Sequence, residues 1–396
     1  MTRSTAASAA LVMMLLATAS LAQQQNTRLS GSTARLQLVA SFEHQVTGVT
    51  IGADGRIFVN FPRWTEDAPI SVAELTRDGQ DKPYQVKPYP DEAWNSWRNA
   101  KKTQMSAGDH FVCVQSVVAD AHGNLRVVDP AAPATAPVVQ GGPKLVRIDL
   151  RTNKVAQVIP FDERVAPQGS YLNDVRLSSD GRYAILTDAG AKGALVVVDL
   201  QRGGARRVLD GHPSTQPEKD VVVKADGQAL RRTDGRGVEF AADSIALSSD
   251  GRILYWKALT GRTLYRIETD ALVNPGLSDK DLEAHVKRAD ETEPTDGLWI
   301  DRRGRLYLSA IEQDAVKVRD GDRVTTLVQD KRLRWPDTFS EGPDGTIYVT
   351  SSRIQDMSWF KPETGPRLET QLWRIEGTGA SVKPKKRVRP AIGTAD

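Results

Sequence analysis

One local pattern recurs six times along the 396 residues: "ADGRIFV" from 53, "AHGNLRVV" from 121, "SDGRYAIL" from 179, "SDGRILYW" from 249, "RRGRLYLS" from 302 and "PDGTIYVT" from 343. Each sets a glycine between two β-patterned runs, where a tight turn needs a residue that adopts positive φ. Several of these hairpins are followed by a second β-pair whose outer run has a common look: "KLVRIDL" at 144, "ALVVVDL" at 194, "TLYRIET" at 263 and "QLWRIEG" at 371. Four strands per unit, about fifty residues per unit and six units predict an all-β chain folded as a six-bladed β-propeller over 35–380. The uneven spacing of the turn glycines (55, 123, 181, 251, 304, 345) assigns the extra length to loops.

A propeller must also close its ring, because an open end blade exposes a sheet edge. "RLQLVASFE" (35–43) precedes the first turn unit and "QLWRIEG" follows the last, so the N-terminal strand is expected to complete the last blade. Two loop segments read as short helices: "YPDEAWNSWRNAKK" (89–102) and "SDKDLEAHVKRAD" (278–290), the second with an S-x-x-D cap at Ser278 and Asp281.

The ends of the chain have their own composition. Arg3, the apolar run "AALVMMLLATASLA" and the small residues Ser20 and Ala22 form the pattern of a cleaved secretory signal over 1–22. A flexible segment is expected over 23–34 and a solvated basic tail over 381–396, where "KPKKRVR" lies. The reading is therefore a secreted or periplasmic protein without a stable membrane anchor. Cys113 is the only cysteine, so no disulfide within the chain is possible and the core must supply the stability. Lys and Arg total 53 against 50 acidic residues, with no basic stripe interleaved with aromatics, which argues against nucleic acid as a partner.

Eight residues before each turn glycine stand Thr47, Gln115, Asn173, Asp243, Asp296 and Asp337, all with side-chain oxygen. The positions two and four residues later are mostly apolar (Val175 and Leu177, Ile245 and Leu247, Leu298 and Ile300), so a period of two would make these six apolar as well. The innermost strand of each blade lines the central channel, and equivalent positions converge there. A ring of Asp, Asn, Gln and Thr oxygens without Lys or Arg repels itself unless something positive sits inside it. Such hard ligands suit Ca²⁺ or, less tightly, Mg²⁺ or Mn²⁺; the bland alternative is that they cap strand ends. Elsewhere the five histidines show no metal spacing and no nucleophile or phosphate-loop motif occurs, while His212 and Trp64 are candidates for a pocket wall.

The strings "VNFPRW", "PYPDEAW", "VQSVVADAHGNLRVVD", "GPKLVRIDL", "YLNDVRLSSDGRYAILTDAG", "GALVVVDL" and "LDGHPST" together resemble a bacterial member of the major royal jelly protein and Yellow family, over about 35–360. The resemblance implies a secreted six-bladed propeller that, in some members, binds a small amine or aromatic ligand in the channel, with dopachrome-type conversion linked to Yellow proteins. A more distant similarity is to the gluconolactonase and senescence marker protein hydrolases. It implies a divalent metal on Asn173, Asp243 and Asp296, with Asp243 or Asp296 activating water for lactone hydrolysis, though Thr47 stands near the place of the family's first-blade Glu. Thr47, Gln115, Asn173 and Asp337 are then ligand contacts, and the binding reading is placed ahead of the lactonase.

Overall fold

The computed structural model describes residues 34–135 and 137–378. The expected leader, most of the segment after it and the basic tail lie outside the described residues. No described helix is long and apolar enough to cross a membrane.

The described residues form six four-stranded antiparallel sheets and one small hairpin. Each sheet is a blade, and the inner strands are, in order, Val49–Ile51, Ser116–Ala119, Leu172–Leu177, Ala242–Leu247, Thr295–Ile300 and Pro336–Glu341. Each inner strand turns at its glycine (φ between 69 and 84°) into the second strand of its blade. The runs such as "ALVVVDL" are third strands, and the fourth strands are less buried: Lys154–Pro160 in blade 2, for example, alternates exposed residues with partly buried ones and a single buried Ile159 at the molecular rim. Blades pack through apolar clusters built from alternate positions; Val128, Leu145, Leu172, Val175, Leu186 and Val196 fill the seam between blades 2 and 3.

The ring closes through the N-terminal strand. Arg35–Phe42 lies antiparallel to Thr370–Glu376, with Arg35 opposite Glu376 and Phe42 opposite Thr370, and is the outermost strand of blade 6. The predicted helices are shorter than their sequence patterns: Glu92–Asn95 starts at Asp91, whose Oδ1 accepts from Trp94 N, and Asp279–His285 starts at Ser278, whose Oγ accepts from Asp281 N. Residues 287–291 are not helical. They form the fourth strand of blade 4, because edge pairing with Thr263–Glu268 supplies their backbone partners.

A long insertion between blades 3 and 4 carries the small hairpin, Lys224–Ala225 with Gln228–Ala229. Its Val223, Leu230 and Val238 pack with Leu259, Ile311, Trp335, Ile354 and Met357 above the channel end opposite the six turns. Bidentate pairing of Arg334 with Asp226 (3.0 Å to each oxygen) and with Asp356 (2.8 and 2.9 Å) ties this insertion to blade 6.

Candidate functional site

The six oxygen-bearing positions sit at backbone irregularities. In blade 3, Leu172 pairs with Asp188 and Val175 with Leu186, so the inner strand carries one residue more than its partner. The same extra residue occurs at Ala242/Ser244, Thr295/Leu298 and Pro336/Phe339. In blade 1, Thr47 N and Gly48 O both bond to Asn60, and in blade 2, Gln115 N bonds to the carbonyl of Val128, the residue paired with Ser116. A bulge resets the two-residue period. This answers why polar residues can stand where alternation demands apolar ones: Val175 stays in the seam between blades while Asn173 and Asp174 leave it.

Polar residues of the second strands hold these bulges. Thr187 Oγ1 accepts from Asp174 N (3.2 Å) and donates to the Asp243 carbonyl of the next blade (2.6 Å). Thr350 likewise accepts from Thr338 N (3.1 Å) and donates to Thr47 O (2.6 Å). Ser309 Oγ takes the amides of Asp296 (3.1 Å) and Gly297 (2.8 Å). A Cβ on Gly297 would lie 1.8 Å from the Asp337 carbonyl, so the blade 5 bulge admits only glycine beside blade 6. Asn60, Thr187, Ser309 and Thr350 were missed at the sequence level, although each lies five or six residues after its turn glycine and interrupts an apolar run.

Five of the six predicted residues, Gln115, Asn173, Asp243, Asp296 and Asp337, line one cavity at the loop end of the channel. Thr47 does not. Its hydroxyl accepts from Asn60 Nδ2 (2.9 Å) and faces the seam between blades 1 and 2. Trp64, Phe240, Ile354 and Trp359 roof the cavity, with the Trp64 and Trp359 rings 5.9 Å apart. Trp64 Nε1 donates to Tyr171 OH (2.5 Å), which donates to Gln115 Oε1 (2.9 Å). His212 lies elsewhere, capping the turn Pro213–Thr215 by accepting from Ser214 N. The cavity volume is about 30 Å³, room for about one water between the aromatic residues and the polar floor. A larger concavity, about 930 Å³, is an outer groove lined by Pro160, Arg164, Gln168 and Arg207 and contains none of the floor residues.

Burial dominates the electrostatics of the floor. Asp243 and Asp337 are held well above the usual carboxylate range by loss of solvent and then by the neighbouring Asp296 charge. Asp296 is pushed up to about 7, first by burial, against the pull of Trp335 Nε1, which donates to its Oδ2 at 2.5 Å. Asp243 and Asp296 are within hydrogen-bonding reach of each other, while Asp243 Oδ1 is buried without a partner. Two carboxyls so placed share a proton more readily than both ionise.

Asp174 also belongs to this cluster. It is buried, accepts from Ser116 Oγ (3.0 Å) and raises the pKa of Asp243, Asp296 and Asp337. Arg176 Nη2 lies 3.7 Å from Asp174 Oδ2. The bulge turns Asp174 inward, two residues ahead of Arg176.

A divalent cation would need three or more of these donors aimed at one point. Among the described residues no group of three or more His, Cys, Asp or Glu is so arranged. Asp296 Oδ2 accepts from the Trp335 indole N–H, and Asp243 Oδ1 has no hydrogen-bond partner. Asn173, Asp243 and Asp296, the donors expected for a metal, line the same cavity.

The sequence profile of the major royal jelly protein family matches residues 112–363. No curated protein sequence matches the chain. Among solved structures, a gluconolactonase from Xanthomonas campestris is 14% identical with a TM-score of 0.50, over 86% of this chain and 89% of that one. A calcium-binding protein, regucalcin, from Agrobacterium tumefaciens is 14% identical with a TM-score of 0.50, over 86% and 94%. A luciferin-regenerating enzyme reaches a TM-score of 0.52 at 10% identity, over 87% and 96%. Identities this low show a shared fold.

Proposed function

This chain belongs to the major royal jelly protein family, and we propose that it is an exported propeller whose channel binds a small amine with an aromatic body. The observation that carries this reading is the pairing of a buried carboxyl floor with a roof of Trp64, Phe240 and Trp359. A protonated amine replaces the protons that Asp243 and Asp296 hold in the free protein, and the indole faces cover its ring. Gln115, Asn173 and Asp337 complete the polar contacts. A cavity of about 30 Å³ is smaller than such a ligand, so binding requires Trp64 and Trp359, whose rings lie 5.9 Å apart, to move.

The same pair supplies a proton donor and a proton acceptor near neutral pH, the equipment for tautomerising a bound ligand. In such a step one carboxyl gives up its shared proton to one ligand atom while the other removes a proton from a second.

Titration calorimetry with tyramine or dopamine tests the reading. Affinity is expected to rise with pH through about 7, as Asp296 loses its proton, and to fall by about tenfold or more in Asp296→Asn, which cannot carry charge. Amine binding that is absent, or indifferent to both pH and Asp296, would sink it. A stoichiometric divalent ion in the purified protein, lost in Asp296→Ala together with lactone hydrolysis, would put the lactonase in its place.

A further inference from the structure

The turn end of the channel holds a second cavity, of about 280 Å³, and no residue lines both it and the amine cavity. Arg126, Arg176 and Trp299 lie in its lining, together with Leu177, Leu247 and Ile300. Arg176 crosses from blade 3 to donate to the Leu298 carbonyl of blade 5 (2.8 Å) and lies 5.4 Å above the Trp299 ring.

These cations are short of acceptors. Arg126 and Arg176 are only 6% and 7% exposed. Arg126 Nε stands 3.6 Å from Asp120 Oδ2, beyond hydrogen-bond distance, and that oxygen already accepts from Asn124 Nδ2 (2.9 Å). Arg126 Nε and Nη1, Arg176 Nε and Trp299 Nε1 are all buried without a partner. Asp120 and Asp174 are the acidic groups beside the two guanidiniums, and Arg147 adds further positive charge at Arg126. Buried N–H groups are rarely left unpaired, because each loses its water without gaining an acceptor. Four of them on three side chains of one cavity describe a missing acceptor with negative charge.

We propose that this cavity binds the carboxylate of a small organic acid with an apolar body. Guanidinium and indole N–H groups match a planar carboxylate, which accepts from two donors on each oxygen. The partly buried Leu177, Leu247 and Ile300 walls cover the remainder of such a molecule, whereas an inorganic oxyanion would leave them wet. The channel then has an acid-binding mouth on the turn face and a carboxyl floor beneath the roof.

Titration of the purified protein with benzoate, acetate, inorganic phosphate and chloride tests this, with calorimetry and tryptophan fluorescence as readouts. Benzoate is expected to bind saturably, more tightly than acetate or phosphate, and to raise the melting temperature. Arg126→Gln should weaken it by about tenfold or more, the typical effect of losing a charge-assisted contact. Trp299→Phe keeps an aromatic face but removes the indole N–H together with the five-membered ring, so its melting temperature is measured alongside, and a variant that melts like the parent should still bind benzoate less tightly. Asp296→Asn should leave benzoate binding intact, separating this mouth from the amine site. Absence of saturable benzoate binding, affinity unchanged in both Arg126→Gln and Trp299→Phe, or phosphate binding as tightly as benzoate would overturn the proposal.

Discussion

At the scale of single residues, the molecule buries carboxyls that its free energy disfavours as charges. Asp243, Asp296 and Asp337 all have folded pKa values raised by desolvation, so each holds its proton longer in the folded state than in the unfolded chain. The stabilising contribution of such a group is complete below the unfolded carboxyl value and disappears as pH rises through the folded one. For Asp296 that window runs from the ordinary 3.8 to about 7. The melting temperature should therefore fall between about pH 4 and pH 7, and Asp296→Asn should flatten the decline while keeping an acceptor for Trp335. Thermal melts across this range in both proteins provide the check; identical slopes would mean that Asp296 does not hold the proton assigned to it.

At the scale of elements, the bulge is what converts a strand into a site. An ordinary inner strand would place Asn173 in the seam with Val175, where an amide has no partner. The extra residue turns the polar pair inward and leaves amides and carbonyls that the second strand must satisfy, which Thr187 does on both sides of a blade seam. Replacing Thr187 by the isosteric Val removes both bonds while filling the same space. Unfolding in urea should show a loss of about 1–3 kcal/mol for each buried group left unpaired, and the floor of the neighbouring blade should loosen because the Asp243 carbonyl is one of them. A Thr187→Val variant as stable as the parent would show that the bulge holds itself.

At the scale of the whole molecule, closure depends on eight residues far from the rest of their blade in sequence. Arg35–Phe42 covers the open edge of Thr370–Glu376, and Ala40 and Phe42 reach the core cluster of blade 1. With no disulfide to hold the ring, hydrogen bonds and this apolar contact are the clasp. A chain beginning at residue 44 should expose a three-stranded blade 6 and aggregate or unfold non-cooperatively, measurable by size-exclusion chromatography and thermal melts. A truncated chain that remains monomeric and cooperative would place the clasp elsewhere.

The blades were legible in the sequence because they are local: a glycine at positive φ and alternating apolar runs specify a hairpin wherever they occur, and six repeats leave a ring as the way to bury them. The address of the site was legible for the same reason, since Asn173, Asp243, Asp296 and Asp337 violate an alternation visible by counting. Other features depended on packing between distant segments. Thr47 faces a seam, Asp174 joins the cluster and Arg176 crosses to blade 5, because bulges redirect side chains and a bulge exists only when a second strand is present to be mismatched. The aromatic roof likewise gathers Trp64, Phe240 and Trp359 from three loops whose separation in sequence says nothing of their meeting. The sequence by itself determined the repeat, the ring and the place where polarity interrupts it; the tertiary structure decided which of those side chains are buried together, which one faces a seam instead and what covers them, because burial and mutual distance exist only once the blades have closed.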